Sequence, residues 1–541
     1  MAANELKLKI PKPTYENKIW KGVEINLPEG YFQIGERLYN QLKNNPDFVG
    51  QIDSVTGEKR LFSNISERSI KCALWLKKQG VKPGSVVSFC SKNHFDRCIP
   101  LFATYYLGAI FNPWWDCCLT NELVKYFVKS SQPKVLFIDE DLAEIIVQAA
   151  QDADPSVKII IFGKKAGLKS FEDILQENIN ELDKFQCTKI SKADDPALIM
   201  CTSGTTGFPK GVLHSYGSVA HTISLFPINT TTNTFLSFST LCWISELTLV
   251  LRSVISKTTM IINNNLGVDD ACKLVEKYKV TRVPMGTHIA NRFSKTPDIS
   301  KYDVTSVAEV VLFGASTTKE VILFLDNFFE NADIYNAYGS TESLIVTIGK
   351  VDSSKSNSCG KICPNAQLKV VDPQSKATLG FNQTGELYCR SKSLMTGYWN
   401  NSAATEEVID SEGWYHSGDL AYYDEDGNFF IVERIKELIK YKLRHVSPAV
   451  IENVILNLPG VAEVAVIAKP DDNDVELPMA FVKKNPLVQV TEDDIHQIVN
   501  DNLHDMMKLR GGIYFLEEMP HTVTGKISRK ELRAMVKTLA A

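Results

Sequence analysis

Short apolar runs alternate with amphipathic stretches through the first two thirds of the chain. Ala197–Met200, Val86–Cys90, Lys134–Ile138, Lys158–Phe162 and Met260–Ile262 are four or five residues long or shorter, and rich in branched side chains. Such runs predict buried strands. Between them lie helical patterns such as Glu122–Val128. This alternation predicts parallel or mixed sheets flanked by helices. The runs Gly380–Tyr388 and Gly427–Val432 follow turn residues and predict a small β-rich subdomain at about 360–432. The pattern restarts beyond Val432. Ser447-Pro448 predicts an N-cap with proline in the first turn, and Ile451, Val454, Ile455 and Leu458 recur at helical spacing up to Gly460. Val464–Ile467 and Met479–Val482 predict strands. The expected architecture is therefore α/β. Residues 1–432 form a large N-terminal domain, 433–434 a hinge, and 435–541 a small mobile α+β C-terminal domain.

The chain has 541 residues, more than one core normally supports. Its apolar share of 44%, charged share of 23% and net charge of −5 suit a globular enzyme and lack the basic face of a nucleic-acid binder. The run Ile99–Trp115 is uncharged, but Pro100, Gly108, Asn112 and Pro113 interrupt it and it is short for a bilayer. It predicts a buried helix followed by a turn. The start, Met1–Lys7, has no apolar core of a secretory signal, and Leu539-Ala540-Ala541 is not a peroxisomal S-K-L address, so a cytoplasmic location is expected. Twelve cysteines, Cys117-Cys118 and Cys359/Cys363 among them, make no zinc spacing and are expected to be reduced. The oligomeric state is not legible, and no transmembrane segment or nucleic-acid partner is expected.

Residues 201–211, Cys-Thr-Ser-Gly-Thr-Thr-Gly-Phe-Pro-Lys-Gly, follow a strand-like run. Glycines let successive N–H groups converge on an oxyanion, hydroxyls add donors, and a lysine adds charge. This predicts a phosphate cradle. It is not a nucleotide P-loop, because Gly204 and Gly207 are too close and Lys210 is followed by Gly211 rather than a hydroxyl. Four further runs follow in order: Asn336–Glu342 (Asn-Ala-Tyr-Gly-Ser-Thr-Glu), Trp414–Leu420 (Trp-Tyr-His-Ser-Gly-Asp-Leu), Glu433–Lys442 and Thr524-Gly525-Lys526.

Together these five runs resemble the adenylate-forming superfamily of acyl-CoA synthetases, peptide-synthetase adenylation domains and beetle luciferases. Within it the chain looks most similar to insect acyl-CoA synthetases and luciferase-like enzymes. The resemblance implies ATP-dependent activation of a hydrophobic carboxylic acid, a medium- or long-chain fatty acid, to an acyl-adenylate and then to an acyl-CoA, with Mg²⁺, ATP and CoA. The alternative it implies is a luciferase-like monooxygenase that adenylates luciferin and oxidises it with O₂. Ser203, Gly204, Thr205, Thr206, Gly207 and Lys210 would hold the β- and γ-phosphates. Tyr338 would face adenine, and Ala315, Gly339 and Ser340 would also bind the nucleotide. Thr341 would meet the α-phosphate, and Glu342 would hold Mg²⁺. Asp419 and Arg434 would meet the ribose. Lys526 would bridge the substrate carboxylate and the α-phosphate, and Lys440 would serve the second half-reaction. Cys242, Trp243, Phe313 and Gly314 would line the acyl or luciferin pocket, and Glu433 would be the hinge. His416 and Ser417 read as structural.

Four departures from the family pattern stand out. Glu433 replaces the usual hinge aspartate. Leu443-Arg444-His445 replaces glycine, an aromatic residue and glutamine, which puts approach of the pantetheine arm in question. Cys242 stands where a histidine is usual. Phe313-Gly314-Ala315 replaces a paired glycine. A non-catalytic relative is disfavoured by the presence of Lys210, Glu342 and Lys526, and a peptide-synthetase module by the lack of a carrier domain.

Overall fold

The computed structural model describes residues 12–116, 119–177, 179–202, 208–225, 233–264, 266–314, 317–355, 357–441, 444–471, 474–486, 488–522 and 526–539. The chain forms two compact units. The first comprises residues 1–368 and 389–415, the second 369–388 and 416–541.

Two sheets organise the first unit. The eight-stranded sheet runs, edge to edge, Gly397–Tyr398, Lys210–Ser215, Pro196–Thr202, Ile110–Pro113, Val86–Cys90, Val135–Asp139, Lys158–Phe162, Lys169–Ser170. From Pro196–Thr202 to Lys169–Ser170 it is parallel, and the other two strands pair antiparallel. The nine-stranded sheet runs Lys361–Ile362, Leu344–Lys350, Asp333–Ser340, Glu309–Phe313, Arg282–Gly286, Thr234–Leu236, Thr259–Ile262, Val49–Asp53, Lys59–Leu61. Its centre is parallel and its edges antiparallel.

The parallel strands are nearly continuous apolar runs because both faces are covered. Val86–Cys90 is buried at all five positions. One core cluster joins Val87, Phe89, Phe111 and Phe137 of the first sheet, through helices Ile34–Asn44, Phe62–Lys78 and Ile244–Ile255, to Phe235, Met260 and Ile262 of the second. A separate cluster packs helices Val268–Tyr278, Thr287–Lys295 and Lys319–Phe328 on the second sheet. The uncharged stretch at 99–115 is a fully buried helix, Ile99–Tyr106, followed by the strand Ile110–Pro113 rather than by a turn alone. Among the described residues no helix is long and apolar enough to cross a membrane.

In the second unit, Asp419–Tyr423 of the strand Tyr415–Tyr423 pairs antiparallel with Phe429–Arg434. A five-stranded sheet places Ile439–Tyr441 between Arg444–Val446 and Val475–Lys484. Val461–Asp471 also pairs with Val475–Lys484, and Gly512–Leu516 runs parallel beside that strand. The predicted strands at 464–467 and 479–482 are the centres of these longer ones. The helix Pro448–Leu456 starts where Ser447-Pro448 predicted, but the serine hydroxyl makes no cap bond to it. The Glu433 carboxylate caps it instead, accepting from Ala449 N at 2.9 Å and from the Ser447 hydroxyl at 3.3 Å. The helix ends at Leu456, four residues before Gly460.

Candidate active site

Two antiparallel strand partners, Asp333–Ser340 and Leu344–Lys350, meet in a turn that carries Thr341 and Glu342. Ser340 N donates to Ser343 Oγ at 3.1 Å and Ser343 N returns to Ser340 Oγ at 3.2 Å. The register shifts between Tyr338 and Gly339, and a Cβ on Gly339 would lie 1.9 Å from the Leu344 carbonyl oxygen. Only glycine permits that approach. Tyr338, half-buried, precedes it opposite Thr347.

Lys210 opens the strand Lys210–Ser215 of the other sheet. Its exit from the predicted cradle is fixed by Tyr126, whose ring stacks on Phe208 at 4.5 Å and whose hydroxyl donates to the Pro209 carbonyl at 2.6 Å. Ser203, Gly204, Thr205, Thr206 and Gly207 lie outside the described residues, as do Ala315, Leu443, Thr524 and Gly525.

The segment Met395–Trp399 ties these two places together. Met395 N donates to the Glu342 carbonyl at 2.7 Å, Thr396 N to Leu213 O at 2.8 Å, and Trp399 N to Gly211 O at 2.7 Å. Between them Tyr398 takes the Lys210 ammonium over its ring at 4.7 Å and donates its hydroxyl to Glu342 Oε1 at 3.1 Å. His214 adds a second tie. Its Nε2 donates to the Thr341 carbonyl at 2.7 Å, and burial holds the ring neutral by lowering its pKa to about 4. Tyr415 is buried beside this turn. Burial first, then the Glu342 carboxylate and Tyr398, push its pKa well up, and a hydrogen bond to Ser340 opposes them.

Among the described residues no group of three or more His, Cys, Asp or Glu could cage a metal. A single carboxylate, Glu342, flanked by hydroxyls fits Mg²⁺, which takes one or two carboxylates plus phosphate oxygens and keeps water.

The predicted acyl-pocket residues leave the carboxyl ends of parallel strands, where open α/β sheets take ligands. Phe313 ends Glu309–Phe313 and is half-buried, with its carbonyl accepting from Thr287 Oγ1 at 3.4 Å. Gly314 borders open space, with nothing within 4 Å of a built Cβ. Cys242 Sγ lies 3.2 Å from Thr240 Oγ1 and 3.9 Å from Asp116 Oδ1, and Trp243 precedes helix Ile244–Ile255. A buried polar network pins this segment. Arg97 Nη2 meets Glu246 Oε1 at 2.5 Å, with both side chains at most 2% exposed. Glu246 also accepts from the Ser237 hydroxyl. Asn93 Nδ2 donates to the carbonyls of Ser239 at 2.9 Å and Asn263 at 3.0 Å.

The second unit gathers Asp419, Arg434 and Lys526. Asp419 and Arg434 are cross-strand partners, so their side chains share a face. Arg434 Nε meets Asp419 Oδ1 at 2.6 Å. Gly418, at φ +70°, supplies the left-handed residue before Asp419 and donates its N–H to Glu386 Oε1 at 3.1 Å. His416 stacks on Tyr388 at 3.9 Å. Lys526 sits where the chain folds back on itself, with Thr522 N donating to the Lys526 carbonyl at 2.7 Å and Ser528 N to Pro520 O at 2.7 Å. Arg529 anchors the following helix by a bidentate pair with Glu452 at 2.7 and 2.9 Å. Lys526 keeps solvent access, but the protein around its ammonium and the Arg434 cation lower its pKa, against Asp419. Lys440 is exposed on Ile439–Tyr441, and its N–H donates to Glu476 Oε2 at 2.6 Å.

His214, Tyr398 and the Arg97–Glu246 pair were not singled out in the sequence. Each acts on a partner more than fifty residues away in the chain, and local patterns carry no such signal.

Comparison with known proteins matches residues 38–399 to the family described as AMP-binding enzyme and residues 450–526 to the AMP-binding enzyme C-terminal domain. The chain is 31% identical over 514 residues to 4-coumarate–CoA ligase 4 of Arabidopsis thaliana, covering 91% of this chain and 88% of that one. It is 30% identical to luciferin 4-monooxygenase of Photuris pensylvanica, covering 93% and 95%. Among solved structures, the luciferase-like enzyme of the nonluminescent Zophobas morio mealworm superposes with a TM-score of 0.72 at 29% identity, covering 77% of this chain and 99% of that one. An anthranilate CoA ligase in complex with anthranoyl-AMP shares the fold, with a TM-score of 0.86 at 21% identity over 95% and 99%. Two sheets that bring a lysine and a glutamate to one tyrosine, and a second unit that groups Asp419, Arg434 and Lys526, thus sit in a chain that belongs to the AMP-binding enzyme family of the adenylate-forming superfamily, with luciferase-like relatives.

Proposed function

We propose that the protein activates a hydrophobic carboxylic acid with ATP and transfers the acyl group to CoA. A carboxylate oxygen attacks the α-phosphorus, the bond to the β-phosphate oxygen breaks, and pyrophosphate leaves. The CoA sulfur then attacks the acyl carbon, its proton is released, and AMP leaves. The observation that carries this reading is that the second unit groups Lys526 with Asp419 and Arg434 while the first, taken by itself, pairs Lys210 and Glu342 about Tyr398.

Phosphoryl chemistry of this kind asks for positioning and charge neutralisation. Lys210 and the hydroxyls of Ser203, Thr205 and Thr206 would hold the outgoing phosphates. Thr341 would donate to the α-phosphate, and Tyr338 would offer its ring to adenine. Mg²⁺, bound by Glu342, would neutralise phosphate charge. Asp419 and Arg434 would accept from and donate to the ribose hydroxyls. Lys526, as an ammonium, would stabilise charge developing between carboxylate and phosphate. Lys440 would serve thioester formation, and the joint at Glu433-Arg434 would let residues 435–541 act as a mobile lid.

The acid is a medium- or long-chain fatty acid or a related aromatic acid, the second class following from the 4-coumarate–CoA ligases among its relatives. The test is ATP–pyrophosphate exchange across fatty acids and cinnamates, with mass spectrometry of products formed with and without CoA. Exchange that no acid stimulates would refute the reading. The second reading, oxidation of adenylated luciferin by O₂, is favoured by the similarity to luciferin 4-monooxygenase. Photon counting with D-luciferin, ATP and Mg²⁺ tests it, and light no stronger than that of luciferyl-adenylate without protein rejects it.

A further inference from the structure

We infer that Tyr398 is a positioning residue that holds Lys210 and Glu342 apart and oriented before the nucleotide arrives. The inference rests on the reading that these two groups meet the phosphates and magnesium.

The argument is electrostatic. An ammonium and a carboxylate at neighbouring places on a protein surface attract each other, and an ion pair formed between them must be broken before either can serve a ligand. Tyr398 gives each charge a weaker partner. Its ring face, negative by quadrupole, takes the Lys210 ammonium at 4.7 Å. Its hydroxyl donates to Glu342 Oε1 at 3.1 Å. A metal ion takes the other carboxylate oxygen and a phosphate takes the N–H groups of the ammonium, so both Tyr398 contacts persist in the complex and keep the two charges oriented.

The backbone fixes where the ring stands. Tyr398 pairs with Val212 in the strand that Lys210 opens, and its N–H donates to Thr405 Oγ1 at 2.9 Å. Three residues earlier, Met395 N holds the Glu342 carbonyl. The ring is therefore placed by main-chain bonds that a side-chain substitution leaves intact. Its effect on the two charges separates cleanly from its effect on the strand.

Two variants divide its roles. Tyr398→Phe keeps the ring and removes the hydroxyl, and Tyr398→Leu removes both. Calorimetry of ATP binding in EDTA reads the Lys210 side without metal or turnover. Mn²⁺ titration of the ATP complex, followed by electron paramagnetic resonance, reads the Glu342 side. Tyr398→Phe should weaken Mn²⁺ binding roughly tenfold, the size of one hydrogen bond to a charged group, and leave metal-free ATP binding unchanged. Tyr398→Leu should weaken both. On a Glu342→Gln background, Tyr398→Phe should have no further effect on Mn²⁺.

If Tyr398→Phe matches the parent protein in Mn²⁺ binding while Glu342→Gln is impaired, the inference is wrong and the functional reading stands. If Tyr398→Phe weakens ATP equally with and without metal, or lowers the ligand-free melting temperature in step with binding, the residue is merely structural and the inference is again wrong. If Lys210→Ala and Glu342→Gln leave ATP and Mn²⁺ binding unchanged, the functional reading itself falls.

Discussion

Replacing Glu246 by glutamine should destabilise the first unit by about 3–5 kcal/mol, the usual cost of removing one member of a buried ion pair. Arg97 Nη2 and Glu246 Oε1 are 2.5 Å apart and the side chains are 2% and 0% exposed, so neither charge has water to fall back on. Coulomb's law gives the same order, about 4 kcal/mol for unit charges about 4 Å apart at an effective dielectric near 20. That is a third or more of the stability of a typical domain. The glutamine keeps a neutral partner at that place but removes the charge, and Asn93 and Met260, which also meet the guanidinium, are neutral too. Urea unfolding followed by tryptophan fluorescence isolates the effect. All 7 tryptophans, from Trp20 to Trp414, belong to the first unit. The double variant Arg97→Met with Glu246→Leu should cost less than either single change, because it removes both desolvated charges together. A loss under about 1 kcal/mol for Glu246→Gln, or a double variant that costs the sum of its singles, would refute this reasoning.

Other outcomes follow from the same geometry. His214 is buried with its pKa lowered to about 4, so the unfolded chain binds its proton first and stability falls as pH drops from about 6.5 towards 4. The loss reaches about 3 kcal/mol, and His214→Gln should flatten that part of a plot of urea midpoint against pH. Lys526→Ala should cut pyrophosphate exchange by about a hundredfold or more, the scale of losing one charge-stabilising group. The lowered pKa of Lys526 means that the ammonium deprotonates below the ordinary lysine range, so exchange should decline on the alkaline side before pH ~10.4. Gly339→Ala must move the turn, since its Cβ would stand 1.9 Å from the Leu344 carbonyl; a drop of about 1–3 kcal/mol in the tryptophan-monitored transition is expected. Glu433→Ala removes the cap of helix Pro448–Leu456 and should cost about 1 kcal/mol in the second unit, read by far-ultraviolet circular dichroism.

The strands were legible because burial on both faces leaves a plain signature, as Val86–Cys90 and Lys158–Phe162 show. Lys210 and Glu342 were singled out because each sits in a run whose residue types make sense only together. That one tyrosine joins them was not. Tyr398 is 188 positions from Lys210 and 56 from Glu342 in the sequence, and it owes its place to strand pairing that no local period encodes. The Ser447 cap failed for a related reason. A serine before a proline has the right local chemistry, but the Glu433 carboxylate, fourteen residues away, accepts the same helix N–H with a full charge.

The short crosspiece Met395–Trp399 is bonded to Gly211 and Leu213 on one sheet and to Glu342 in a turn between two strands of the other. Thermal motion that shifts either sheet is thus passed to its neighbour through the main chain. Lys210 and Glu342 are tied to one segment, and moving one away from the other would strain its hydrogen bonds. Under the function proposed above, a nucleotide spanning this cation and this acid would meet two groups held to one main-chain segment.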